Sequence, residues 1–186
     1  MDLVFFLIGA GCVMCVMLAR HFIAGFPAQG PEDYADDLNV LDMRKDLDGE
    51  MVCEGVIFGP MGRVTSTFVA DFNVHWDGDI ATINEHFTYD DKSTQDRVWT
   101  IQMGESGNFT ATAPDVPGVG KGCNSGATIQ IRYPITLPED VGGHTLQTVD
   151  WIYLTPEGTL INRSQFRKFG FKVAELVATI RKRETQ

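Results

Sequence analysis

Glu85, His86 and Arg97 fall within one short stretch, EHFTYDDKSTQDRVWT (85–100). A carboxylate, an imidazole and a guanidinium gathered together could move a proton and steady a developing anion. Whether they meet depends on the element that carries them. DDKST is turn material between two alternating runs, so the stretch reads as a β-hairpin. Successive strand side chains point to opposite faces, which places Glu85, Phe87 and Tyr89 together and His86 behind them. Folding about Lys92 sets Phe87 opposite Arg97 and Glu85 opposite Trp99. Glu85, Phe87, Tyr89, Arg97, Trp99 and Ile101 then share one face, with Glu85 diagonal to Arg97 and within reach of it. His86 goes to the other face with Val98 and Thr100. The triad comes apart.

One carboxylate and one guanidinium remain among aromatic residues. If that face is buried, either charge alone is costly, so the two should pair. Two readings stand: an ion pair that fixes strand register, or a polar anchor that orients the head group of a ligand in an apolar cavity. A second hairpin, VDWIYLTPEGTLINRSQF (149–166), invites the same analysis. Centring its turn on Pro156-Glu157 sets Asp150 opposite Arg163 as a charge pair near a surface. Trp151, Tyr153, Leu160, Asn162 and Phe166 then form the other face. An apolar wall with one polar group suits a ligand pocket, although plain core packing accounts for it more simply.

Other stretches carry less chemistry. HWDGD is a turn signal before it is a calcium loop. The four histidines lack metal-ligand spacing, and GVGKG (118–122) lacks the Walker pattern and its helix. No nucleophile motif or cofactor motif is found. The net charge of −10, from 15 basic and 25 acidic residues, argues against nucleic acid as a general partner.

The hairpins belong to a longer series of short alternating segments separated by turn residues. These run over 51–58, 63–74, 80–89, 95–103, 107–113, 126–137, 144–154 and 159–170. The segment 171–182 is read as a closing strand, although its apolar spacing also suits a helix. Such a series predicts an all-β antiparallel barrel or sandwich. Upstream, Leu3 to Ala19 is apolar and uncharged, and the sequence predicts an uncleaved single-pass membrane anchor. The anticipated organisation is an anchor over 1–22, a solvated linker over 23–49 and a barrel over 50–186. Arg20 and His21 vote for a cytoplasmic barrel under the positive-inside rule. Cys12 and Cys15 read as thiols within the anchor, and Cys53 and Cys123 allow one disulfide.

WDGD, EHFTYDD…QDRVWT and DWIYL…LINRSQFRKFG together resemble the bacterial family called domain of unknown function 3833. The similarity spans about Leu41 to Lys182. It implies a lipocalin-like (calycin-type) barrel and, since many relatives look like lipoproteins or envelope proteins, a periplasmic domain at the inner membrane. This chain lacks a good lipobox. Relatives tend to occur among genes for fatty-acid modification, which implies a fatty acid or other lipid as ligand. The two hairpin faces supply the expected lining, Glu85, Phe87, Tyr89, Arg97, Trp99, Trp151, Tyr153 and Asn162, and the protein is expected to be a binder rather than an enzyme. The competing expectations are a lipid-modifying accessory enzyme using Glu85 or His86, and a structural envelope protein whose barrel is filled by side chains.

Overall fold

The computed structural model describes residues 2–184. Residues 1, 185 and 186, the ends of the expected anchor and barrel, lie outside the described residues. Ten antiparallel strands form the body: β1 (Gly49–Phe58), β2 (Val64–Asp77), β3 (Ile80–Tyr89), β4 (Thr94–Met103), β5 (Asn108–Thr112), β6 (Gly120–Ser125), β7 (Thr128–Thr136), β8 (Thr145–Leu154), β9 (Leu160–Lys168) and β10 (Phe171–Lys182). Each pairs with its sequence neighbour, and β1 pairs with β10 to close the barrel. Strand β2 shows the period that builds it. Phe68, Ala70, Phe72 and Val74 are buried, and Val69, Asp71, Asn73 and His75 between them are exposed.

The region 171–182 is a strand, as expected from its β-branched residues. Strand β6 was not anticipated, because Gly120 and Gly122 have low strand propensity. Both glycines serve packing: at Gly122 a Cβ would collide with the Phe109 ring, and at Gly120 it would press on Tyr133.

Two helices precede the barrel: α1 (Asp2–Ile23) and the single turn α2 (Met43–Asp46). The expected membrane-spanning anchor is corrected here. No helix among the described residues is long and apolar enough to cross a membrane. The uncharged run Leu3–Ala19 rises only about 25 Å, against a hydrocarbon core of about 30 Å.

The segment expected as a solvated tether is docked on the barrel. Leu41, Met43 and Leu47 are buried in the core at one end of the barrel, and the Trp76 indole donates to the Leu47 carbonyl at 2.8 Å. Tyr34 packs edge-on against Trp151, with ring centroids 5.3 Å apart. The hydroxyls of Tyr34 and Tyr153 both donate to Gln29 Oε1, at 2.6 and 2.8 Å. This strap needs a glycine beneath it. Gly126 has φ +50, and a Cβ there would collide with the Tyr34 carbonyl oxygen. Gly126→Ala is expected to cost about 2 kcal/mol or more in thermal unfolding, with a red shift of Trp151 emission as the strap lifts.

Candidate ligand-binding site

The two hairpins decide what faces inward, and both registers differ from those expected. In the first, Thr88 pairs with Thr94, and Lys92 adopts a left-handed conformation (φ 72), so the loop centres on Asp91. Glu85 therefore stands directly opposite Arg97, and Ile83 opposite Trp99. A slip of two keeps every side chain on its expected face.

In the second hairpin the slip is one. The Thr155 amide donates to the Thr159 carbonyl at 2.9 Å, with Gly158 at φ 81, so three residues rather than two make the turn. Trp151 pairs with Arg163, and Asp150 with Ser164. A slip of one turns a strand over. Trp151 and Tyr153 accordingly lie on the outer wall beneath the strap. Asn162, Ile152 and Phe166 face the interior, and so does Asp150. The expected surface pair of Asp150 with Arg163 does not form. Arg163 instead meets Glu175 outside, at 2.7 Å.

The interior holds a cavity of about 880 Å3. Its apolar wall includes Phe68, Phe72, Phe87, Ile129, Ile152 and Leu176. Of the residues expected to line a site, Glu85, Phe87, Tyr89, Arg97, Trp99 and Asn162 border this space, while Trp151 and Tyr153 do not. His86 lies on the outer wall, its Nδ1 2.6 Å from Asp96 Oδ1. Cys53 is inside the barrel and Cys123 on the opposite side of the sheet, so both thiols are free.

A polar cluster stands in the apolar wall. Arg97 Nε donates to Asp115 Oδ1 at 3.0 Å, and its guanidinium lies 4.3 Å from the centre of the Trp99 ring. The Tyr133 hydroxyl donates to Asp150 Oδ2 at 2.7 Å, and Trp99 packs edge-on against Tyr133. Arg97 Nη2 and Asp150 Oδ1 are buried with no hydrogen-bond partner. The partner expected for Arg97 was Glu85, yet Asp115 holds the guanidinium and no Glu85–Arg97 bridge is found among the described residues.

Asp115, Tyr133 and Asp150 were not anticipated as site residues. Asp115 sits in APDVPGV between two prolines, a loop whose inward fold shows only in the structure, where its neighbour Val116 is buried. Tyr133 follows Ile129 and Ile131 at the period of two, a signal that was present in the sequence.

Burial controls the protonation of this cluster. Glu85 is pushed up to about 8 by desolvation, against the opposing pull of Arg97 and with help from Asp150 and Asp115. Desolvation likewise raises Asp150, against the lowering effect of the Tyr133 hydrogen bond and of the Arg97 charge. Burial, with Glu85 and Glu54 adding, pushes the Cys53 thiol to about 12, so it stays protonated.

The family model described as "Protein of unknown function (DUF3833)" matches residues 20–182. The chain belongs to this family. No curated protein matches this DUF3833 member in sequence. Among solved structures, the S-type phycobiliprotein lyase CPES from Guillardia theta is similar over 76% of this chain and 91% of that one, with TM-score 0.54 and 7% identity. A redesigned β-barrel, mFAP1, bound to DFHBI, is similar over 74% and 96%, with TM-score 0.41 and 10% identity. The likeness to the lyase is one of fold alone.

The raised Glu85 makes this DUF3833 barrel sensitive to pH. Below the ordinary value of 4.5 the group is protonated in both folded and unfolded chains. As pH rises from 4.5 to about 8, the unfolded chain releases that proton first, so stability falls through this window. Glu85→Gln is expected to flatten the fall, which is bounded at about 5 kcal/mol. Titration of the unfolding free energy between pH 4 and pH 9, in both forms, checks it. Arg97→Met should destabilise strongly by orphaning Asp115, and Asp115→Asn/Arg97→Met should recover part of that loss. Additive effects in that double-mutant cycle would remove the pairing.

Proposed function

We propose that the protein binds a small amphipathic molecule of lipid type, with its apolar chain in the barrel and its polar end at the Arg97–Asp150 cluster. The observation that carries this reading is the cavity of about 880 Å3. Ligand sites fall in the range of roughly 300–1,000 Å3. The two unpartnered atoms supply its specificity. Arg97 Nη2 requires an acceptor and Asp150 Oδ1 requires a donor. A hydroxyl, an amide or a protonated carboxyl offers both. A bare anion would find the Arg97 guanidinium already held by Asp115, with Asp150 and Glu85 nearby. An uncharged head group therefore fits better than an ionised fatty carboxylate.

Trp99 is the natural reporter, since it borders the cavity and stacks beneath Arg97. Titration with a long-chain fatty alcohol should quench its emission saturably, with a dissociation constant in the micromolar range (about −8 kcal/mol). The matching fatty acid should bind more weakly at pH 8 than at pH 5, where more of it is protonated. Arg97→Met should weaken the alcohol about tenfold, while Trp151→Ala should leave the quenching amplitude intact. If no chain length of acid or alcohol gives saturation, the binding reading is wrong.

One observation favours a second reading, a reaction on the bound lipid. Glu85, raised to about 8 inside a cavity, is placed to act as an acid or base near neutral pH. Mass spectrometry of the recovered ligand separates the two: an altered mass, lost in Glu85→Gln, supports chemistry, and an unchanged ligand supports binding alone.

A further inference from the structure

We infer that the rim of the barrel at its open end is a docking surface for an anionic lipid interface, centred on the β9–β10 hairpin tip. The opposite end is closed by Leu41, Met43 and Leu47, so the cavity opens towards the turns that join β1 to β2, β3 to β4, β7 to β8 and β9 to β10. The tip of the last hairpin, RKFGFK (167–172), carries two phenylalanines in solvent: Phe169 is 90% exposed and Phe171 77% exposed. Phe169 also holds a left-handed conformation (φ 52) next to Gly170 at φ 83. A bulky aromatic residue is unfavourable there, where Asn or Gly would be free of strain. Neither folding nor solubility gains from that choice.

The neighbouring hairpin continues the patch. Strand β1 pairs with β10, so the β1–β2 turn lies beside this tip, and it carries Met61 (86% exposed), Arg63 and Val64. Val119 and Val141, on two further rim loops, are exposed as well. Apolar side chains thus ring the mouth while the chain as a whole is strongly acidic. Charge names the partner. Arg63, Arg167 and Lys168 flank these apolar side chains, whereas Lys172 is paired with Glu175 at 2.6 Å. The acidic residues Asp90, which packs against β2 at Ser66 and Thr67, and Glu139 lie along the rim on the β3–β4 and β7–β8 loops. Exposed aromatics flanked by cations suit the headgroup layer of a membrane carrying anionic lipid. Docked so, the mouth would open onto the phase in which an apolar ligand resides. The ligand part of this inference rests on the binding reading above. The docking part does not.

The test uses the full chain with phosphatidylcholine vesicles, plain or containing about one-third phosphatidylglycerol. Because α1 also exposes apolar side chains, the readout must be local to the tip. Phe169→Trp supplies it. Its added emission should shift to the blue and be quenched by brominated lipid on the anionic vesicles. Lys168→Glu in that background should weaken the response about tenfold, and so should raised salt. Phe169→Ser/Phe171→Ser should slow uptake of a fatty alcohol from vesicles while leaving its affinity in detergent unchanged. A tip whose emission ignores vesicles overturns the docking. So does a blue shift that appears without vesicles as concentration rises, since the surface would then serve a second copy of the chain. If the tip inserts but no ligand is ever taken up, the binding reading fails and the docking stands.

Discussion

The seam between β1 and β10 turns a curled sheet into a container, and it depends on a close approach of two main chains. At Gly55 a Cβ would lie 2.6 Å from the Ala178 Cβ and 2.6 Å from the Val177 carbonyl oxygen. Gly55 and Ala178 face one another across the seam, and nothing larger fits without moving a strand. Closure removes every sheet edge. It also separates an inner face from bulk water, and the chemistry of the site follows from that. Glu85 is an ordinary carboxyl in sequence. Enclosed by the barrel beside two other acids, it holds its proton to about 8.

The same enclosure explains why one guanidinium organises the polar interior. Arg97 is the cation that the buried carboxyls face, and Asp115 descends from the β5–β6 loop to meet it. The Asp115 carbonyl also accepts the Thr136 amide at 2.8 Å, which ties that loop to β7. Trp99 and Tyr133 then pack around the guanidinium. A lone buried charge would cost several kcal/mol, so the loop, the strand and both aromatics are held by a common need.

Strand period was legible in the sequence because burial enforces it. Alternation in β3 and β4 placed Glu85, Phe87, Tyr89, Arg97, Trp99 and Ile101 on one face, and the barrel keeps them there. Register was not legible, because it depends on turn length. The first turn misplaced partners by two and did no harm. The second misplaced them by one, which sent Trp151 outwards and Asp150 inwards. The inner role of Asp115 was hidden for another reason: a loop has no period, and only tertiary packing shows where it folds. Glycines masked β6, since what they contribute is room for Phe109 and Tyr133 rather than propensity. The strap over Trp151 was equally silent, because its acidic, proline-bearing sequence looks solvated. Its few apolar residues, Phe26 and Leu41 among them, do the docking.

Packing density weighs against a barrel that merely fills itself. Protein interiors are packed about as tightly as organic crystals, and voids larger than a water molecule are few. A filled barrel of this composition could place its phenylalanines and isoleucines across the lumen. Here they stay against the wall and leave about 880 Å3 between them. The wall is held back by its own contacts: Phe87 stacks on Tyr89 and packs against Phe68 and Phe72, and Trp99 is fixed between Arg97 and Tyr133. An open interior that leaves Arg97 Nη2 and Asp150 Oδ1 without protein partners is a poorer native state than a closed one. An occupant that removes apolar surface from water and satisfies both atoms would stabilise the fold in proportion to its concentration over its dissociation constant.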